Sequence, residues 1–186
     1  WGAQLPQQLY ATVGGDNLHG GRLATAHLLQ GGARRVLFMG DPELPEIGQR
    51  RDGWQAAHAD AGLQADPALS LAVPFVTGQI QQAVADALAR GLRFDALFAA
   101  SDLMAMTAVN MLRQHGVRVP EDVRVVGYDD IALAEHFHPA LSTVRQPIAD
   151  AGQALVRSLL EQLAGVRSRS IALPTTLVVR ASSGGG

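Results

Sequence analysis

Four acidic or hydroxyl side chains lie where runs of apolar residues end, at Asp16, Ser101, Asp102 and Asp129. Arg50 follows another such run across a loop. If these runs are parallel strands, their carboxyl ends share one edge of a sheet, and ligands bind in the crevice outside that edge. Carboxylates accept hydrogen bonds from paired hydroxyl groups, and a guanidinium donates a fork of hydrogen bonds. The set therefore suits a ligand that carries many hydroxyl groups, such as a sugar.

The same residues also have a purely structural interpretation, which the sequence leaves open. Asp16, Ser101 and Asp102 stand where helix N-caps are expected, and capping explains them as well as ligand contact does. Arg50 stands at the expected start of a helix, where the helix dipole disfavours a cation, so a role other than helix stability is favoured. A surface salt bridge to a nearby carboxylate is the competing explanation for Arg50.

Two aromatic side chains could stack on the ring of such a ligand, Phe75 and Trp54. Binding sites for small molecules are commonly lined by aromatic groups with a few polar ones among them. Trp54 lies within an apolar stripe of a predicted helix, so packing in the core is its favoured interpretation. Phe75 follows an apolar run, and its role stays open.

The residue types needed for metal, nucleotide or covalent chemistry are missing or isolated. His136 and His138 form a pair without a third spaced ligand, so they are interpreted as loop histidines and no metal is expected. The chain has no Cys and its 15 cations are all Arg, which removes thiol chemistry and the lysine of a P-loop. Neither a G-x-G-x-x-G fingerprint nor a credible Ser-His-Asp set occurs. We therefore expect a binding protein without catalytic residues or a cofactor.

Short apolar runs alternate with amphipathic runs that end on glycine, which predicts alternating strands and helices. The predicted strands are Leu9–Val13, Val36–Met39, Leu69–Phe75, Ala96–Ala99 and Val123–Tyr128. The predicted helices begin at Asp16, Arg50, Thr77 and Ser101 or Asp102. Parallel neighbours need crossover helices, so this order indicates an α/β fold with a parallel sheet. After Asp130 we expect a short helix, an extended segment at 141–145, a helix over 147–164 and an extended segment at 171–179.

The composition limits the classes of protein that remain. Hydrophobic residues make up 47% of the 186 residues and charged residues 17%, which favours a packed core over disorder. The net charge of −2 offers no basic face that could hold nucleic acid by itself. No apolar run approaches the roughly 20 residues that span a membrane.

From about Val13 to Arg180, the chain resembles the effector-binding domain of the LacI/GalR family of bacterial transcriptional regulators. The most specific stretch is 116–147, where V-V-G-Y-D-D is followed by P-x-L-S-T-V-R-Q-P. Supporting stretches are VGGDNLHGGRLATAHLLQGGARRVLFMG, R-x-x-G-W at Arg50 and AASDLMAMTAVNMLRQHG. The two runs in 116–147 are more similar to the regulators than to the binding proteins of sugar transport.

The resemblance implies a periplasmic-binding-protein-like type I fold of the α/β class. Such a fold has two doubly wound parallel-sheet lobes joined by three crossovers, and the N-terminal lobe would be incomplete in this chain. Residues 1–32 and 141–165 are expected in the N-terminal lobe, and residues 33–140 and 166–181 in the C-terminal lobe. Residues 182–186 are expected to form a disordered tail.

The resemblance also implies the residues that contact an effector between the lobes. They are Asp16, Arg50, Phe75, Ser101, Asp102 and Asp129. Asp16 matches the aspartate of V-G-x-D-N, Arg50 the arginine that donates to the effector, and Asp129 the effector carboxylate. Phe75 lies about where several members place an aromatic ring over the effector. Ser101 departs from the pattern, because many sugar-binding members have Asn before the next aspartate, so no particular hexose is indicated.

By the same resemblance, the chain is the ligand-sensing domain of a transcriptional repressor whose effector is a sugar or sugar derivative. Effector binding would control operator DNA through an upstream helix-turn-helix head that this chain lacks. A cytoplasmic homodimer without membrane contact is expected. The helix from Asp102 would form part of the dimer interface, with Met104, Met106 and Val109 facing the partner.

Two alternatives are kept at this point. The first is a periplasmic sugar-binding protein that delivers its ligand to a transporter, which would share the same cleft residues. The second is an α/β enzyme that uses Asp129 or Asp102 and would turn over its ligand. We rank the regulator first and the enzyme last, because the sequence lacks a recognisable set of catalytic residues.

Overall fold

The computed structural model describes residues 1–185 of the chain. The strands are β1 (Val13–Gly15), β2 (Val36–Met39), β3 (Ser70–Leu71), β4 (Ala96–Ala99), β5 (Arg124–Asp129), β6 (Ser142–Arg145), β7 (Ile171–Leu173) and β8 (Thr176–Val178). The α-helices are α1 (Asn17–Gln30), α2 (Pro45–Asp60), α3 (Thr77–Ala89), α4 (Asp102–Gln114), α5 (Ala132–His136) and α6 (Ile148–Leu163). Among the described residues, no helix is both long and apolar enough to cross a membrane.

The larger lobe is built on a six-stranded sheet in the order β3-β2-β4-β5-β6-β8. The first five strands are parallel, and β8 runs antiparallel to β6. Every residue of β2 and β4 is buried, as expected for parallel strands covered on both faces. The helices form two packed pairs, α1 with α2 and α3 with α4. The predicted α/β fold with a parallel sheet is confirmed.

The smaller lobe contains only two strands in the described residues. Strand β1 pairs in parallel with β7, with Val13 opposite Ile171. Helix α6 packs against both strands. The smaller lobe is therefore formed by the beginning of the chain and by the segment 148–173.

The predicted boundary between the lobes was wrong at two places. Residues 142–145 were expected in the N-terminal lobe with 141–165, but they pair with β5 in the larger sheet. Residues 17–30 were expected there with 1–32, but α1 packs on α2 and contacts the larger sheet. These bounds came from the resemblance, and the periodicity of the sequence could not correct them, because it identifies an element without identifying the sheet that the element joins. The chain crosses between the lobes near Asp16, Gln146 and Pro174.

The expected disordered tail at 182–186 is also corrected. Ala181–Ser183 forms a short 3₁₀ turn, and the Ser182 side chain is fully buried. The Ser182 hydroxyl donates to the Val125 carbonyl at 2.7 Å and accepts from the Ser142 amide at 2.8 Å. Hydrogen bonding to two strands holds this segment, although its composition suggests fraying. Gly186 lies outside the described residues.

Two predicted elements begin elsewhere. Helix α2 begins at Pro45, whose fixed φ favours the first helical position, so Arg50 lies inside the helix and not at its start. The argument from the helix dipole was therefore wrong for Arg50. The strand expected over Leu69–Phe75 is limited to Ser70–Leu71, and the first strand begins only at Val13.

Helix α4 carries a second correction. Met104, Met106 and Val109 were expected to face a partner subunit, but all three are buried in the core of this chain. Leu103 is the large apolar residue that α4 exposes, at 63%. The expectation failed because a buried stripe and an interface stripe have the same helical spacing.

Helices α1 and α2 are in backbone contact at Gly21 and Gly53. A Cβ atom at Gly53 would overlap the Leu18 carbonyl oxygen, and one at Gly21 would overlap the Arg50 carbonyl oxygen. Both glycines are needed for this approach, since real side chains do not fit in the space. The contact brings the start of α1 next to the middle of α2, where Arg50 lies.

We expect Gly53→Ala to destabilise the protein by about 3 kcal/mol, because the added methyl group forces the two helix backbones apart. Gly78→Ala in α3 is the matched control, since a Cβ there meets nothing within 4 Å. The control should be neutral or stabilise by about 0.5 kcal/mol through a lower entropy of the unfolded chain. Urea unfolding of both variants measures the difference, and equal free energies would contradict the packing argument.

Helix α6 exposes a row of large apolar side chains in this chain. Val156, Leu159, Leu160 and Leu163 are 59%, 57%, 61% and 76% exposed. A contiguous apolar row of this kind is unusual on a soluble monomer. It lies on the smaller lobe, whose sheet has two strands in the described residues.

The 186-residue chain should therefore bind a hydrophobic dye. Replacing Leu159 and Leu163 together by Gln should remove most of the dye fluorescence, because the row is interrupted. Leu133→Gln is the control, since Leu133 is exposed at 52% on another helix. If the double variant keeps the dye fluorescence of the wild type, the dye binds to a surface other than this row of α6.

Candidate effector-binding site

Asp16 and Asn17 occupy the start of α1, directly after β1. Asp16 is the N-cap, and its carboxylate accepts a hydrogen bond from the His19 amide at 2.9 Å. The structural interpretation of Asp16 as a cap is therefore confirmed. A second role in ligand contact stays a prediction, since capping engages only part of a carboxylate's acceptor capacity.

Arg50 is a buried cation, with 6% of its surface exposed. Its Nε donates to the Asn17 side-chain oxygen at 2.9 Å, and its Nη1 donates to the Ala100 carbonyl at 2.6 Å. The guanidinium carbon lies 3.6 Å from the centre of the Tyr128 ring, which adds a cation–π contact. Burial lowers the pKa of Arg50, and the carboxylate of Asp129 partly offsets this. The competing account of Arg50 as a surface salt bridge is excluded by this burial.

Asp129 is the last residue of β5, and its carboxylate interacts with the charge of Arg50. Its Oδ1 accepts a hydrogen bond from the Gln146 side-chain amide at 2.6 Å. Burial raises the pKa of Asp129, while the Arg50 cation and the Gln146 hydrogen bond act in the opposite direction. The structure thus brings the guanidinium of Arg50, which donates hydrogen bonds, near the carboxylate of Asp129, which accepts them.

Tyr128 completes this group and presents an unusual polar atom. Its ring is fully buried, and its hydroxyl has no hydrogen-bond partner in the part of the chain that the structure describes. Burial raises the pKa of Tyr128 to about 12, against the attraction of Arg50. The phenol is therefore neutral at physiological pH.

Three of these residues were not singled out from the sequence: Asn17, Tyr128 and Gln146. Asn17 and Tyr128 each stand beside a residue that was chosen, within the stretches D-N and G-Y-D-D, whereas Gln146 lies in the stretch R-Q-P, which held no candidate. Their position in these motifs is the feature of the sequence that could have identified them. The alternation of side chains along a strand does not predict that Tyr128 faces Arg50. The packing of α1 on α2 and its contact with β5 bring Asn17 and Tyr128 to Arg50.

Ser101 and Asp102 have internal partners. Ser101 is the N-cap of α4 and accepts from the Met104 amide at 3.2 Å. Asp102 is fully buried and accepts from the Ile131 amide at 2.9 Å and from the Thr143 hydroxyl at 2.5 Å. Capping is confirmed for Ser101 but not for Asp102, whose carboxylate connects α4 to two other segments. Effector contact by either residue stays a prediction.

Phe75 lies apart from this network, in the segment between β3 and α3. Its side chain is 47% exposed. Its proposed stacking on an effector ring stays a prediction. Trp54, the other aromatic candidate, is buried and donates to the Val36 carbonyl at 3.0 Å, which confirms its role in the core.

A cleft of about 200 Å³ lies beside Asp16 and Asn17, and Gln4, Gln49 and Ile171 also line it. Sites for small molecules usually enclose roughly 300–1,000 Å³. The cleft is therefore smaller than a usual site, and of the residues above it is lined by Asp16 and Asn17 but not by Arg50 or Asp129. Within the described residues, no three His, Asp or Glu side chains come close enough together to hold a metal ion.

The fold is that of a periplasmic binding protein-like domain, and the sequence matches this family over residues 25–183. The regulator CelR of Thermobifida fusca is 38% identical over 181 residues, covering 96% of this chain and 53% of CelR. The HTH-type transcriptional repressor PurR of Aliivibrio fischeri is 35% identical over 166 residues, covering 88% of this chain and 49% of PurR. The structure of a CelR–cellobiose complex superposes with a TM-score of 0.90 at 37% identity, covering 96% of this chain and 55% of that one.

The chain therefore belongs to the periplasmic binding protein-like family, and its relatives are LacI-family transcriptional regulators, as the resemblance predicted. These relatives are regulators and not enzymes. The chain spans about half the length of the curated relatives it matches, 53% of CelR and 49% of PurR.

The buried carboxyl of Asp102 predicts a pH dependence of stability. Burial raises its pKa from 3.8 to about 6, against the hydrogen bonds from Thr143 and Ile131, while Asp129 and Asp130 add repulsion. Between these two pH values the folded protein holds a proton that the unfolded chain has lost. The contribution of Asp102 to the free energy of unfolding therefore falls by about 3 kcal/mol as the pH rises from 3.8 through 6.

Urea unfolding of the wild type and of Asp102→Asn at several pH values isolates this contribution. The variant carries no titrating group at this position, so its stability should fall less over the same pH range. Parallel curves for the two proteins would show that Asp102 titrates as an ordinary carboxyl.

Proposed function

We propose that this chain is the effector-sensing part of a LacI-family transcriptional repressor, and that Asp16, Arg50 and Asp129 bind a sugar in the cleft between the lobes. The observation that carries the proposal is the buried Arg50 cation, fixed by Asn17 and Ala100 beside the Asp129 carboxylate. A sugar hydroxyl both donates and accepts hydrogen bonds, so adjacent hydroxyls can accept from Arg50 and donate to Asp129. Ser101 and Phe75 are proposed at the periphery of the same site, with the buried Asp102 behind Asp129.

Cellobiose is the first probe, because a cellobiose complex is the solved structure of a protein similar to this chain over 96% of its length. A purine is the alternative effector, since an arginine beside an aromatic ring also suits a base. The two ligands differ in the contacts that they offer. A sugar has adjacent hydroxyl groups that can bridge Arg50 and Asp129, whereas a purine base has ring nitrogens and exocyclic groups instead.

In this proposal, the effector closes the two lobes on each other and changes the geometry of a homodimer on its operator DNA. The segments that cross between the lobes near Gln146 and Pro174 would transmit the change. Such coupling requires that the effector bind the two arrangements with different affinity. The protein would act in the cytoplasm, without turnover of its effector.

Calorimetric titration of the full-length protein with cellobiose tests the proposal. Asp129→Asn and Arg50→Lys should each weaken binding by about 10-fold or more, because each removes a charge-assisted hydrogen bond to a sugar hydroxyl. Asp122→Asn is the control, since Asp122 is paired with Arg118 on the surface and should leave affinity unchanged.

The outcomes separate the candidate effectors. Binding of guanine or hypoxanthine without binding of cellobiose would replace the sugar by a purine. If Asp129→Asn and Arg50→Lys both bind cellobiose with the affinity of the wild type, the effector binds outside this cleft.

A further inference from the structure

Behind Asp129 lies a buried hydrogen-bonded group that does not reach the cleft. We propose that Asp102 is a positioning residue, whose carboxylate holds the turn at Asp129–Asp130 and thereby directs the Asp129 side chain towards the effector. Asp102 itself makes no effector contact in this proposal, although its place in the sequence suggested one. The inference rests on the proposed function in so far as it takes Asp129 to be an effector contact.

The turn after β5 has a backbone that needs support. Asp129 and Asp130 have φ values of 112° and 54°, which side-chain-bearing residues rarely adopt. Two such residues in succession persist only where surrounding contacts hold them. The support therefore has to be found in the hydrogen bonds of the turn and of the residue that follows it.

Asp102 and Thr143 supply these hydrogen bonds. The Ile131 amide, directly after the turn, donates to Asp102 at 2.9 Å. The Asp130 amide donates to the Thr143 hydroxyl at 3.3 Å, and that hydroxyl donates to Asp102 at 2.5 Å. One carboxylate thus holds the two residues that follow Asp129, the Ile131 amide directly and the Asp130 amide through the Thr143 hydroxyl of β6.

Gly127 shows that the surroundings are shaped for this carboxylate. A Cβ atom at Gly127 would overlap Oδ1 of Asp102, so β5 leaves space for Asp102 two residues before Asp129. The Asp102 side chain is fully buried, which separates it from a ligand in the cleft. These contacts account for its two carboxylate oxygens within the protein.

The chemistry of this group provides matched variants. In Asp102→Asn, the amide oxygen can accept from Ile131 and the amide nitrogen can donate to Thr143, so both connections are retained. In Asp102→Ala, both are lost. Thr143→Ser and Thr143→Val form a second pair, in which the hydroxyl is kept or removed, and they serve as the test if Asp102→Ala does not fold.

Cellobiose titration of the full-length protein is the first measurement. Asp102→Ala and Thr143→Val should each weaken binding by about 10-fold, while Asp102→Asn and Thr143→Ser stay within about 3-fold of the wild type. In an Asp129→Asn background, Asp102→Ala should have little further effect, because its influence passes through Asp129. Equal losses in Asp102→Asn and Asp102→Ala would overturn the proposal in favour of direct contact by the charge. Additive losses in the double variant would overturn it as well.

Amide hydrogen exchange tests the same inference without any effector. The Ile131 amide should be protected in the wild type and in Asp102→Asn, and should exchange about 10-fold faster or more in Asp102→Ala. The Val126 amide in the centre of β5 is the internal control and should keep its protection in all three proteins. If the wild type does not bind cellobiose, the sugar proposal fails, while exchange at Ile131 still decides the role of Asp102. Unchanged exchange at Ile131 in Asp102→Ala would overturn the positioning role.

Discussion

The burial of the Arg50 guanidinium is the constraint on which the site depends. A charge taken out of water is tolerated only when hydrogen bonds and an opposing charge replace its hydration. Here the partners come from three places, the start of α1 at Asn17, the end of β4 at Ala100 and the end of β5 at Tyr128. The three elements must therefore be held in register with α2 for the cation to be stable. The backbone contact of α1 and α2 at Gly53 provides that register.

Asp129 and Asp130, in the turn after β5, show how the environment shifts the pKa values of two identical side chains in opposite directions. Asp130 accepts from Arg145 at 2.6 Å and from Arg180 at 2.8 Å, and although burial acts the other way, these bonds lower its pKa. Burial raises the pKa of Asp129, which accepts only an uncharged amide in the described residues. Asp130 therefore anchors the returning end of the chain to the turn, whereas Asp129 keeps acceptor capacity for a ligand.

Local sequence patterns predicted the helices and strands better than they predicted which sheet each one joins. The fully apolar runs at β2 and β4 and the glycine stops of the helices were sufficient for an α/β fold with a parallel sheet. The lobes implied by the resemblance misplaced β6 and α1, and local patterns could not correct this, because joining one sheet or the other leaves the periodicity of a segment unchanged. The local patterns also assigned Ser182 to a frayed end, since the hydrogen bonds that bury it come from residues 40 and 57 positions away in the chain.

The sequence alone determined the fold class, the family and the choice of Asp16, Arg50 and Asp129, because strand ends and short motifs are local features. Only the tertiary structure decided what each residue does. Arg50 lies inside a helix and not at its start, Ser101 caps α4, and the Asp102 carboxylate accepts hydrogen bonds from Ile131 and Thr143. These roles follow from contacts between segments far apart in the chain, which the spacing of residues does not encode.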